Sequence, residues 1–64
     1  MTKYTTANQL QTAICNSFTL QVTVGKSGEV SASVAQKVAR HSQVKATFWG
    51  FDDAGNNIVV FKLL

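Results

Sequence analysis

The chain has 64 residues, a formal charge of +3, 45% apolar residues and only 14% charged ones, against the ~25% common in soluble domains. That length holds one domain, near the lower size at which a single core suffices, and the apolar content excludes a disordered chain. The lone cysteine, Cys15, excludes an internal disulfide and a thiolate metal cluster, and no apolar run approaches the ~20 residues of a membrane-spanning helix.

The opening stretch, Met1-Thr2-Lys3-Tyr4-Thr5-Thr6, lacks the apolar segment of a signal peptide. With one cysteine this fits a reducing compartment, so a cytoplasmic protein without a membrane partner is expected. Thr6 followed by Gln9 matches a capping box and predicts a helix over residues 6–16. Leu10, Ala13, Ile14 and Phe18 fall on one side at helical spacing. Cys15 adjoins that stripe and is expected to be a buried, inert thiol. Phe18 to Val24 then alternates: Phe18, Leu20, Val22 and Val24 point one way, and Thr19, Gln21 and Thr23 the other. That is the pattern of a half-buried strand.

Gly25-Lys26-Ser27-Gly28 ends the strand. Beyond it Ser27 is a candidate helix cap, with Glu29 in the first turn and Val30, Val34, Val38 and His41 as a stripe beside Ala35. Lys37 and Arg40 fall near the C-terminal end, where cations suit the helix dipole. Val30, Ala32 and Val34 also alternate as a strand would. The alanines and the polar residues after Val34 favour a helix.

Two segments rich in β-branched and aromatic residues follow, Lys45 to Phe51 and Asn57 to Leu64, around the turn formers Asp52-Asp53-Ala54-Gly55-Asn56-Asn57. They predict a hairpin with Phe51 facing Ile58, Trp49 facing Val60, Phe48 facing Phe61 and Thr47 facing Lys62. Val44, Ala46, Phe48, Gly50, Val59, Phe61 and Leu63 then form a wholly apolar core face. Lys45, Thr47, Trp49, Phe51, Ile58, Val60, Lys62 and Leu64 form the other, which is apolar and aromatic at its tip and has two lysines at its base. A hairpin with one wet face should show a clean polar side. Either a further layer or another molecule is expected to cover this one.

The fold class is therefore α+β, a small single domain in the order helix-strand-helix-strand-strand with a C-terminal β-hairpin. The alternative is a winged-helix-like fold. It needs two helices between residues 27 and 50, and Thr47-Phe48-Trp49-Gly50-Phe51 is a poor helix and a good strand.

Few residues point to chemistry. Asp52 and Asp53 are adjacent in a turn, and Cys15 with His41 lacks an orienting third group, so no catalytic residue is expected. The oxygens of Asp52, Asp53, Asn56 and Asn57 lack the ligand spacing of a calcium loop. Val24-Gly25-Lys26-Ser27 has the tail of a phosphate loop, but Leu20 stands where its first glycine belongs. No metal, cofactor or small-molecule substrate is expected. What remains is binding. Trp49, Phe51, Ile58 and Val60, flanked by Lys45 and Lys62, form the candidate surface for a protein partner or a second copy. A stoichiometric modulator or inhibitor in the style of phage and mobile-element accessory proteins, or a homodimer, is the leading expectation. The rival is a nucleic-acid-binding regulator using Lys26, Lys37, Arg40, Lys45 and Lys62.

Overall fold

A computed structural model describes residues 2–64. The order is α1 (Ala7–Ser17), β1 (Thr19–Val24), α2 (Ala32–Ala39), β2 (Val44–Phe51) and β3 (Asn57–Leu63), an α+β domain. The strands form one antiparallel sheet in the order β1-β3-β2. β1 and β2 thus run parallel, with the last strand inserted between them, and the C-terminal hairpin supplies both the centre and one edge.

Helix α1 starts as its sequence dictates. Thr6 Oγ1 accepts the Gln9 backbone N–H, and Gln9 Oε1 in return accepts the N–H and hydroxyl of Thr5. The helix runs one residue past the expected end and buries Leu10 and Ile14. Cys15 lies next along the helix, ~100° round the axis from Ile14, and is exposed. The expectation of a buried thiol is corrected accordingly.

Phe18 also departs from expectation. It is not the first inward residue of β1 but the one-residue corner between helix and strand, at φ 66° and ψ −46°, with its ring 57% exposed. Its N–H donates to Ile14 O and its carbonyl accepts from Leu63 N–H. Those bonds hold a conformation that non-glycine residues avoid.

The second helix begins at Ala32, later than Ser27 implies. Ser31 is its cap, with Oγ accepting from Val34 N–H. The competing strand signal wins locally. Val30 bridges both Val24 and Tyr4, so residues 25–30 form a turn and a short paired segment against β1. Glu29 is held there and not in a helical turn. Its N–H donates to Thr23 Oγ1, its carboxylate accepts from Thr23 N–H, and its carbonyl accepts from Lys3 and Tyr4 N–H.

Both helices lie on one side of the sheet, α1 over β1 and β3 and α2 over β2. Leu10, Ile14, Val22, Val24, Val30, Ala35, Val38, Val44 and Phe61 form the core. Gln11 of α1 meets the His41 imidazole beyond α2, Nε2 to Nε2 at 3.0 Å, and ties the helix pair together. No helix among the described residues is long and apolar enough to cross a membrane.

The strained corner gives a direct test. Phe18→Gly relieves a backbone cost of about 1 kcal/mol and sacrifices a largely exposed ring. The thermal midpoint is expected to rise by roughly 4–8 °C. A fall of that size would show that the phenyl ring stabilises the corner more than its backbone strains it.

Candidate binding surface

The hairpin register differs from the one its sequence implies. Lys45 faces Lys62, Thr47 faces Val60 and Phe48 faces Val59, and then the register slips so that Gly50 faces Ile58 and Phe51 faces Asn57. Trp49 is the extra residue of a β-bulge. Gly50, at φ 143°, supplies a backbone that a side chain would resist. The slip exchanges faces beyond it. Phe51 crosses to the helix side, where its ring meets Phe48 edge-on at 5.4 Å. Phe51 therefore leaves the outer face on which its sequence position put it.

Two surfaces result. The outer face carries Ile58 and Val60, both half-buried, with Thr19, Gln21, Thr47, Lys45 and Lys62 around them. No part of the chain layers over it, since both helices pack on the other side. Lys45 and Lys62 are direct cross-strand neighbours, and among the described residues neither forms an ion pair. Like charges in that position destabilise a sheet.

The second surface lies at the β2 edge of the helix face and was not foreseen. Phe48, expected in the core, is 58% exposed; Trp49 is 67% and Phe51 68% exposed. Beside Phe48 an open groove of about 280 Å³ runs between α2 and β2, walled by Ala32, Ala35, Ala39, Ala46 and Val59. The wall is hollow because these side chains are small and because the helix stops short of the strand. Of the expected partner-binding set, Ile58, Val60, Lys45 and Lys62 share the outer face, Trp49 stands at the bulge, and Phe51 belongs to the new cluster with Phe48. Gly50 was the available signal, because an isolated glycine in a strand pattern marks a bulge.

The five candidate nucleic-acid cations do not share a surface. Lys26 sits in the turn after β1, Lys37 and Arg40 are exposed on and just after α2, and Lys45 and Lys62 lie across the sheet from that helix. Lys26 and Ser27 do not stand at a helix start, so the partial phosphate-loop pattern is a turn.

The hairpin tip is anchored by Asn56, a buried polar side chain. Its N–H donates to Asp52 Oδ1 at 2.8 Å, and its Nδ2 donates to Ser27 Oγ at 3.0 Å and Asp52 Oδ2 at 3.3 Å. Gly25 passes so close to the Asn56 amide that a Cβ there would strike it. The adjacent aspartates thus divide. Asp52 closes the loop, and Asp53 is exposed. Among the described residues no cluster of His, Cys, Asp and Glu could hold a metal ion.

Comparison with known proteins gave no significant match: no family model, no curated protein and no solved structure.

The tip carries a pH signature. The Asn56 backbone N–H, then its side-chain amide and the Ala54 and Gly55 N–H groups, hold the Asp52 carboxyl below its usual range, against an opposing effect of burial. The folded state therefore favours the ionised form. Its contribution to stability is complete above the ordinary carboxylate pKa of about 4 and is lost as pH falls through the lower folded value. Thermal midpoints measured from pH 7 to pH 2 should decline below about pH 4, and Asp52→Asn should flatten part of that decline. An unchanged pH profile in the variant would remove Asp52 as the group responsible.

Proposed function

We propose that the chain is a small non-catalytic binding protein that acts by docking on another protein surface, its own copy or a larger target whose activity it modulates. The observation that carries this reading is the aromatic tip of β2. Of the six aromatic residues in the chain, three stand exposed within four positions, Phe48, Trp49 and Phe51. A monomer gains nothing from holding these rings in water. Burying each contributes on the order of 1.5–3 kcal/mol. The three together contribute about 4.5–9 kcal/mol before the cost of immobilising two molecules, so they anchor a contact that neighbouring apolar groups must complete. Trp is also the residue most enriched at such contact centres.

One observation favours a second reading, nucleic-acid binding. Lys45 and Lys62 lie side by side without a carboxylate, an arrangement that an anionic backbone would relieve. The dispersal of Lys26, Lys37 and Arg40 over other parts of the molecule counts against it. A single free cysteine suits a reducing compartment such as the cytoplasm.

Trp49→Ala is the test. Its side chain is mostly solvent-exposed, so the far-UV circular dichroism should be unchanged. Association, read by sedimentation and by co-purification of the wild type against the variant, should weaken at least tenfold. A variant that associates like the wild type, or one that unfolds, would overturn the reading. Binding to a random oligonucleotide that collapses between 50 and 200 mM salt would replace it with the rival.

A further inference from the structure

We infer that the partner of the β2 edge is a second copy of the chain, paired antiparallel about Thr47; this rests on the protein-binding reading above. The backbone selects the pairing. Leu64 N–H donates to Gln43 O, which fixes the phase of the ladder between β2 and β3. Lys45 and Thr47 turn their amide groups toward β3, and Val44, Ala46 and Phe48 turn theirs to the open edge. Val44 N–H is already taken by His41 O. Ala46 and Phe48 are left, and among the described residues nothing pairs with their outward groups.

Only one antiparallel self-pairing uses just those two residues. With the twofold axis at Thr47, Ala46 of each copy faces Phe48 of the other, and the four groups on each strand close four hydrogen bonds. An axis at Ala46 would instead demand the Val44 N–H that the preceding turn holds. An axis between residues would pair opposite faces of the sheet.

Side chains agree with this register. Phe48 and Ala46 lie on the helix side, so each Phe48 ring meets an alanine and the mouth of the groove behind it. That groove, about 280 Å³, exceeds the ~150 Å³ that holds a benzene ring. A large residue thus enters a hollow lined by Ala32, Ala35 and Ala39, once in each direction. Charge permits it as well. The two Lys45 residues end four positions apart, roughly 14 Å, beyond the ~10 Å Debye length at 0.1 M salt. Each comes opposite Trp49 of the other copy, a cation beside an aromatic residue and not beside its like.

The contact is small. A strand of this length spans ~27 Å, and sheet plus helix give a depth of ~20 Å. At most about 500 Å² per copy is buried, roughly 1,000 Å² in all if the whole edge takes part, which is at or below the lower end for a specific interface. A contact that small forms a reversible dimer, with a mass that depends on concentration. Lys45 and the bulge, common guards of an exposed edge, confine pairing to this short stretch.

The test uses the full chain. Sedimentation equilibrium from about 1 µM to 1 mM should show the mass rise from 6.9 kDa toward twice that value. In a Cys15→Ser background, Thr47→Cys should form a disulfide dimer under mild oxidation. Facing Thr47 residues form a non-hydrogen-bonded pair with Cα atoms ~4.5 Å apart, within disulfide range. Ala46→Pro removes an outward N–H that the monomer does not use, so it should keep its circular dichroism and stay monomeric. Should that variant unfold, the cross-link still decides the matter. A wild type that stays monomeric throughout overturns the dimer but leaves docking on a different protein to the Trp49→Ala comparison. Dimerisation without the Thr47 cross-link, or undiminished in a folded Ala46→Pro, overturns the edge pairing.

Discussion

Helix α2 advances about 1.5 Å per residue and strand β2 about 3.4 Å. Each has eight residues, so the helix roofs less than half of the strand it lies over. The covered half is ordinary core, with Val44 buried in one cluster with Val38 and Ala35. The uncovered half carries Ala46 and Phe48, which face the helix layer yet remain exposed. The groove and the exposed ring are consequences of that mismatch, and they lie beside an edge left open by the strand order, in which β2 is outermost. A longer α2 would fill the groove and cover the ring. Ser31 caps the helix late because residues 25–30 are committed to pairing with β1, so the shortfall begins in the turn that closes the other side of the sheet.

The bulge at Trp49 then decides which residues occupy the open region. Without it Phe51 would stand on the outer face, near Ile58. With it Phe51 joins Phe48 on the helix side, and the two rings pack edge to face, a favoured aromatic geometry. Gly50 makes this possible because its φ lies where a Cβ would be strained. The aromatic cluster is thus set by a residue with no side chain, one position from the tryptophan it displaces.

Much of the architecture was legible in the residues. The capping box of Thr6 and Gln9, the strict alternation of Leu20, Val22 and Val24, and the turn formers between Phe51 and Asn57 each name their element, and the order of elements follows. Three things were not legible. The start of α2 was masked because Ser27 and Ser31 are equally good caps, and only the pairing of Val30 with Val24 chooses between them. The register of the hairpin was masked because period-two patterning is blind to a bulge, so Gly50 and Phe51 were assigned to the wrong face while Ile58 to Leu63 kept theirs. The exposure of Phe48 depends on how far a neighbouring helix reaches, which no local pattern records. The exposed aromatic cluster lies on the strand that carries Trp49; Phe48 joins it from the expected core face, and Ile58 and Val60 stay apart on the outer face.

A surface of exposed rings is useful for binding only if it is held still. Here the tip is fixed at its far end. Asp52 and Asn56 close the loop on each other, and the Asn56 amide reaches across to Ser27 in the turn after β1. That contact ties the hairpin to the opposite edge of the sheet, 29 residues away in sequence. Much of the ordering entropy that docking would otherwise cost is thereby spent in folding, which leaves more of the aromatic burial to appear as affinity. The polar side chains of Asp52, Asn56 and Ser27 bond to one another, so their hydrogen-bonding capacity is taken up within the fold. Desolvation of polar groups is the usual offset to such burial, and the arrangement at Asn56 removes it from the contact.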